Sequence, residues 1–360
     1  MAQIDAFFKL MNDEGASDLH MTAGQQPVLR IRGDMERVKF KIMDNETLKN
    51  ILYEICPEDK IKIFEETGDM DFGYEIPGLA RYRCNFFQQK YGIGAVFREI
   101  PSDILTCEQL GLPKVIAQLA TLPKGLVLVT GPTGSGKSTT LAAIVDEANR
   151  IRKDHILTIE DPIEFVHKSQ QCIINHREVG THTKSFSAAL RGALREDPDI
   201  ILVGELRDLE TISLAMEASM TGHLVFGTLH TMNAMKTVDR IIEIFPANQQ
   251  GQVRSTLADA LKAVVSQTLF KRVDVKGRVA ALEILLCTPA VRNLIREAKT
   301  YQIPSIMQTG KKYGMQTIDD AIMELLEKKK ISAEDAYTNC MEKQRFVKFL
   351  RKPPVDFTEI

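Results

Sequence analysis

Gly131, Pro132, Thr133, Gly134, Ser135, Gly136, Lys137 and Ser138 are consecutive, and Thr139 follows them. This glycine-rich pattern ends in Gly-Lys-Ser, and its backbone N–H groups can turn inward around phosphate oxygens. Lys137 can neutralise phosphate charge, and the Ser138 hydroxyl can reach Mg2+. The apolar run 126–130 precedes the loop, and the helix-forming stretch 138–151 follows it. That strand–loop–helix setting separates a phosphate cradle from a chance cluster of glycines. The helix N-terminus adds partial positive charge behind the phosphates. The ligand this loop predicts is a nucleoside triphosphate with Mg2+.

Hydrolysis at such a cradle needs acids at nearby strand ends, one to order the metal and one to orient water. The run 155–160 ends in Glu160, and Asp161-Pro162-Ile163-Glu164 follow; the run 199–203 is followed by Gly204-Glu205. The second is unusual, because an Asp commonly stands there. Spacing alone leaves open which acid serves the metal and which the water. His223 and His230 flank the strand-like stretch 224–229. Their odd separation puts them at opposite ends and on opposite faces of an extended strand, so they are not a metal pair. Each is either a γ-phosphate sensor or a hydrogen-bonded structural histidine. Arg81 and Arg83 share a face of one predicted strand, and Arg98 lies on the next. Guanidiniums there either clamp phosphate oxygens from outside the loop's own region or form a solvated strand face.

The elements that must carry these residues fall into zones. Residues 1–100 open with an amphipathic pattern, Ile4, Phe7, Phe8 and Met11, and continue as strands near 27–32, 71–74, 80–87 and 93–100. This reads as a small α+β domain. Residues 101–124, with Pro101, Pro113 and Pro123, read as a linker and lead-in helix. Residues 125–275 alternate apolar strands (126–130, 155–160, 200–204, 223–228) with helices (138–151, 185–196, 209–220, 235–244), which implies a mostly parallel sheet. Residues 276–360 begin with a strand-like stretch, 279–286, and become helical after Thr288-Pro289, a good N-cap and N1 pair. A basic tail from Lys343 to Lys352 reads as a solvated helix end before Pro353-Pro354.

The 360 residues carry a net charge of −2, with 44% hydrophobic and 26% charged residues, which fits a chain able to bury a substantial core. No basic bias favours nucleic acid as a partner. The six cysteines are scattered with no C-x-x-C pair, so neither a zinc site nor a disulfide framework is expected. No apolar run approaches the ~18 residues of a membrane span. A cytoplasmic protein with at most peripheral membrane association is the expectation.

These motifs together resemble the type II/IV secretion ATPases, and within them the retraction ATPases of bacterial type IV pili. The resemblance spans the chain. It rests on Ala16-Ser-Asp-Leu-His20 and Arg30-x-Arg32-Gly33, and on the stretch from Thr158 to Glu164, similar to the family's Asp box. It rests also on 194–208, similar to its atypical Walker B region, and on Thr221-Gly-His223 with Thr228-Leu-His230-Thr, similar to its His box. The family's assembly ATPases usually carry a tetracysteine zinc insertion, which this chain lacks. The segment Ala290-Val-Arg-Asn-Leu-Ile-Arg-Glu297 differs by one residue, Val291 for Ile, from a signature of the retraction branch. Its Val291, Leu294 and Ile295 form an apolar stripe, with Arg292 and Arg296 on another face.

The resemblance implies a PAS-like N-terminal domain, a RecA-like P-loop ATPase domain and a helical C-terminal region. It implies ATP and Mg2+ as ligands. Glu164 is then the general base, Glu205 the Walker B acid that holds Mg2+ with Ser138, and His223 and His230 couple nucleotide state to structure. Arg83 and Arg98 reach the γ-phosphate. The implied assembly is a homohexamer at the cytoplasmic face of the inner membrane, acting on a pilus platform protein. Three rivals stand beside this reading: a RecA-like nucleic-acid motor, a nucleotide-binding module without turnover, and a paralogue that modulates the retraction motor.

Overall fold

Ile4, Phe7, Phe8 and Met11 are all buried along one side of the first helix, α1 (Asp5–Asp13), as their spacing requires. The structure is a computed structural model, and it describes residues 2–31, 33–100 and 103–351. Arg32, Pro101, Lys352, Pro353 and Pro354, used in the sequence reading, lie outside the described residues. The chain forms two compact units. One comprises Met1–Ile104 with Pro162–Val166, and the other Leu105–Asp161 with His167–Ile360.

In the first unit follow β1 (Asp18–Thr22), β2 (Val28–Ile31), β3 (Asp34–Arg37), α2 (Asn45–Tyr53), α3 (Glu58–Thr67), β4 (Asp69–Ile76), β5 (Ala80–Gln89) and β6 (Gly92–Ile100). They make a six-stranded antiparallel sheet in the order β3-β2-β1-β6-β5-β4. Alternation along β5 is strict: Ala80, Tyr82, Cys84 and Phe86 are buried, while Arg81, Arg83 and Asn85 face the other way. Phe8 of α1 stacks on Tyr82 with ring centres 4.1 Å apart and meets Phe97 edge-on at 5.0 Å. This is the expected PAS-like α+β unit, with an aromatic core on one face of its sheet.

The second unit contains α4 (Lys114–Gln118), β7 (Gly125–Thr130), α5 (Lys137–Ile151), β8 (His155–Glu160), β9 (Ile173–Glu178), α6 (Phe186–Ala193), β10 (Ile200–Val203), α7 (Leu209–Met220), β11 (Leu224–Leu229), α8 (Ala234–Glu243) and α9 (Gln250–Ala260). It continues with β12 (Leu261–Lys271), β13 (Arg278–Leu286), α10 (Pro289–Arg296), α11 (Ile303–Thr309), α12 (Ile318–Glu327), α13 (Ala333–Asn339) and α14 (Lys343–Phe346). Its seven strands run β13-β12-β7-β11-β10-β8-β9, parallel except for β13. Every residue of β7 and β11 is buried, because helices cover both faces. Leu126 and Leu128 join the core beneath α6 to α10, while Val127 and Val129 join the core beneath α4 and α5. The α/β class and the RecA-like sheet are as the sequence implied.

β9, α9 and β12 were not legible in the sequence. β9 is a half-exposed edge strand, Ile-Ile-Asn-His-Arg-Glu, without a continuous apolar run. β12 carries Ser266 and Gln267 within its buried stretch. The strand 279–286 was expected; it is β13, and it pairs with β12 in the same sheet.

Glu283 on β13 is a buried carboxylate that caps two helices. One oxygen accepts from Ala234 N–H at 2.6 Å at the start of α8, and the other from Ile318 N–H at 3.4 Å at the start of α12. Burial pushes its pKa up, against the opposing pull of these two donors. Glu283→Ala is expected to cost about 2 kcal/mol, since it leaves buried helix-terminal N–H groups without an acceptor. Urea denaturation of wild type and variant measures it.

Candidate active site

Sheet register alone assembles one end of the second unit. Thr130 pairs with Leu229 on one side and Ser266 on the other. The residues just beyond, Gly131, His230 and Gln267, therefore stand side by side. Val203 pairs with Ile159 and Gly227, which sets Gly204 beside Glu160 and Glu205 close to His230. Residues 131–138, Glu205 and His230 are thus gathered at the C-terminal strand ends, the usual ligand edge of a parallel sheet.

The loop is held tightly. Gly131 and Gly136 have φ of +140° and +86°. A Cβ on Gly131 would lie 2.3 Å from the Gln267 carbonyl oxygen, and one on Gly136 would lie 2.8 Å from Gln267 Nε2. Lys137 is buried, and its Nζ donates to the carbonyls of Gly131 at 2.9 Å and Pro132 at 3.1 Å. Ser135 Oγ is buried with no hydrogen-bond partner among the described residues. Ser138 and Thr139 open α5 half-buried. A cradle closed to side chains, a buried cation and an orphaned hydroxyl fit a polyphosphate.

A Cβ on Gly204 would lie 3.3 Å from the Glu160 Cα, so the end of β10 packs closely against β8 just before Glu205. Glu205 lies 3.1 Å from His230 Nε2 and 2.6 Å from the Arg207 guanidinium. Burial raises its pKa, but Arg207, His230 and Lys137 outweigh that and hold it below the ordinary carboxyl value. The Glu205 carboxylate lies within electrostatic reach of Lys137 and is an oxygen donor of the kind Mg2+ takes.

Not every expected residue is in this cluster. His223 sits at the opposite, N-terminal end of β11, where its Nδ1 bonds the Ala218 carbonyl at 2.9 Å and its own carbonyl accepts from Gly125 at 3.0 Å. Those contacts are of the structural kind that the sequence left open. Arg83 and Arg98 belong to the first unit, where they are direct cross-strand partners. Arg98 also pairs with buried Asp18 at 2.8 Å, and Arg83 with Asp71 at 3.5 Å. Glu164 is half-buried in the coil after β8, within the segment Pro162–Val166 that belongs to the first unit. Arg292 and Arg296 are not a free charged face: Arg292 donates to the Cys287 carbonyl at 3.1 Å, and Arg296 pairs with Asp259. Val291 and Ile295 are buried as expected, and Leu294 is partly so.

The residue after the Glu164 segment is fastened by a histidine pair. His167 N–H donates to His176 Nε2 at 3.1 Å, and His176 Nδ1 lies 2.8 Å from Thr158 Oγ1. Burial, with His176 adding to it, pushes the His167 pKa down to about 4. The folded state therefore resists a proton that the unfolded chain takes up near pH 6.5. This contribution to stability is complete above that pH and is lost as pH falls towards 4, by about 3 kcal/mol in total. Denaturant unfolding from pH 7.5 to 4.5 should show the loss, and His167→Gln should flatten it.

Comparisons with known proteins agree with this geometry. A family model described as Type II/IV secretion system protein matches residues 2–338. A Pseudomonas aeruginosa protein named type IV pilus retractation ATPase PilT is 55% identical, over 90% of this chain and 94% of that protein. The same organism's type IV pilus ATPase PilU is 39% identical, over 93% of this chain and 87% of its own. A crystal structure of the pilus retraction motor PilT with bound ADP superposes with a TM-score of 0.88 at 44% identity, covering 96% of this chain and 98% of that one.

Proposed function

Because the chain belongs to the type II/IV secretion system protein family, we propose that it is a motor ATPase whose hydrolysis of ATP drives type IV pilus retraction and twitching motility. The observation that carries this is 55% identity to a retraction ATPase over nearly the whole of both proteins. The 39% identity to PilU raises a second reading, a paralogue that modulates the motor, but that likeness is the weaker of the two.

In the mechanism, the backbone of 131–139 and Lys137 hold the triphosphate, and Ser138 and Glu205 would hold Mg2+. A metal held there would act as a Lewis acid, drawing negative charge from phosphate oxygens. Glu164 takes a proton from water as its oxygen attacks the γ-phosphorus and the bond to the bridging oxygen breaks. Arg83 and Arg98 stabilise charge on the departing γ-phosphate, as arginine fingers do. Loss of those contacts then changes the arrangement of segments that the phosphate had held. His230, in contact with Glu205, passes the change to β11 and α8. The working assembly is a homohexamer at the cytoplasmic face of the inner membrane, turning or displacing a platform protein so that pilin leaves the fibre. Among the described residues no helix is long and apolar enough to cross a membrane.

The test is retraction in cells deleted for this protein and complemented with wild type or Glu164→Gln. Hyperpiliated, non-retracting cells rescued only by wild type are expected. Normal retraction in the deletion strain would overturn the motor assignment. DNA should leave the ATPase rate unchanged, and stimulation would favour a nucleic-acid motor.

A further inference from the structure

Gln267 is a fully engaged buried amide in the middle of β12, only 4% exposed. Its Nε2 donates to the Ser135 carbonyl at 2.6 Å, and its Oε1 accepts from the Thr140 hydroxyl at 2.7 Å. The neighbouring Ser266 bonds Thr130 across the strands at 2.8 Å. Thr130 ends the strand that enters the loop, Ser135 lies inside the loop and Thr140 lies in the helix that leaves it. β12 therefore grips the cradle before, within and after its turn.

The Ser135 contact has a chemical consequence. In a trans peptide the C=O and the following N–H point in opposite directions. With the Ser135 carbonyl held towards Gln267, the Gly136 N–H must point away from β12. Gly136 has no side chain and a positive φ, so its own residue type does not fix the orientation of this peptide.

We propose that Gln267 is a positioning residue for nucleotide: it locks the Ser135–Gly136 peptide so that the Gly136 N–H faces the phosphates. The site needs a donor for the Ser135 carbonyl and an acceptor for the Thr140 hydroxyl on one side chain of this length. Only an amide supplies both. Glu loses the donor, Met loses both, and Asn is a methylene short. The inference rests on the loop being the nucleotide site, as proposed above.

The test compares Gln267→Met, Gln267→Glu and the double variant Gln267→Met/Thr140→Val with wild type, by calorimetric titration with MgADP and by thermal unfolding without nucleotide. Both single variants should bind about 10- to 100-fold more weakly, the range for losing one aligned donor to a charged group. The double variant buries no orphaned hydroxyl, so it should regain thermal stability over Gln267→Met while its affinity stays low. Affinity that recovers together with stability, or wild-type affinity in Gln267→Met, would overturn the inference and make Gln267 a packing residue. Failure of wild type itself to bind MgADP would overturn the ATPase reading instead.

Discussion

Glu164→Gln should lower ATP turnover by about 10²- to 10⁴-fold, the range for removing a general base, while ATP affinity stays within a few-fold of wild type. The substitution keeps size and shape but removes the negative charge and the basic oxygen, replacing an acceptor with an NH2 donor. Glu164 follows β8 in a half-exposed coil, so the change disturbs little of the core. Turnover and affinity should therefore separate. Steady-state phosphate release, read beside nucleotide titration, measures both. A variant that keeps more than a tenth of the wild-type rate would move the base role to another acid, Glu160 first. Glu205→Gln is the informative companion. Its carboxylate faces His230, Arg207 and Lys137, so its loss should raise the Mg2+ concentration needed for activity.

Lys137→Ala should be the broader lesion, lowering turnover and nucleotide binding together. Removing one preorganised positive donor costs about 10²- to 10³-fold in turnover, and losing a charge-assisted hydrogen bond weakens binding by about tenfold or more. Here the lysine also bonds the Gly131 and Pro132 carbonyls, so its loss loosens the loop itself. Lys137→Arg should not restore activity. A planar, longer guanidinium does not fit a position only 9% exposed between two carbonyls. Near-normal MgADP affinity in Lys137→Ala would contradict the role given to this side chain.

Much of this was readable along the chain. The phosphate loop is local: eight adjacent residues contain the glycines, the lysine and the serine, and the flanking strand and helix follow from unbroken apolar and helical patterns. The buried strands β7, β8, β10 and β11 were legible for the same reason, since burial on both faces writes a continuous apolar run. β9 escaped because it lies at an edge, and β12 because its polar pair Ser266 and Gln267 breaks such a run. That break was itself the available signal. Two polar residues inside an otherwise apolar strand must find buried partners, and here the partners are the strand that enters the loop, the loop and its helix.

Residue type and spacing alone were enough to predict a polyphosphate site at 131–139, because that chemistry is made by neighbours in sequence. Tertiary structure decided which distant residues join it. Sheet register set His230 and Gln267 beside Gly131 and put His223 at the far end of the same strand. Packing of Gly204 against β8 sets the strand end from which Glu205 projects, and the cations around Glu205 hold its pKa below the ordinary carboxyl value. Those outcomes depend on strand order and pairing, which relate residues from about 25 to 136 positions apart and leave no local pattern in the chain.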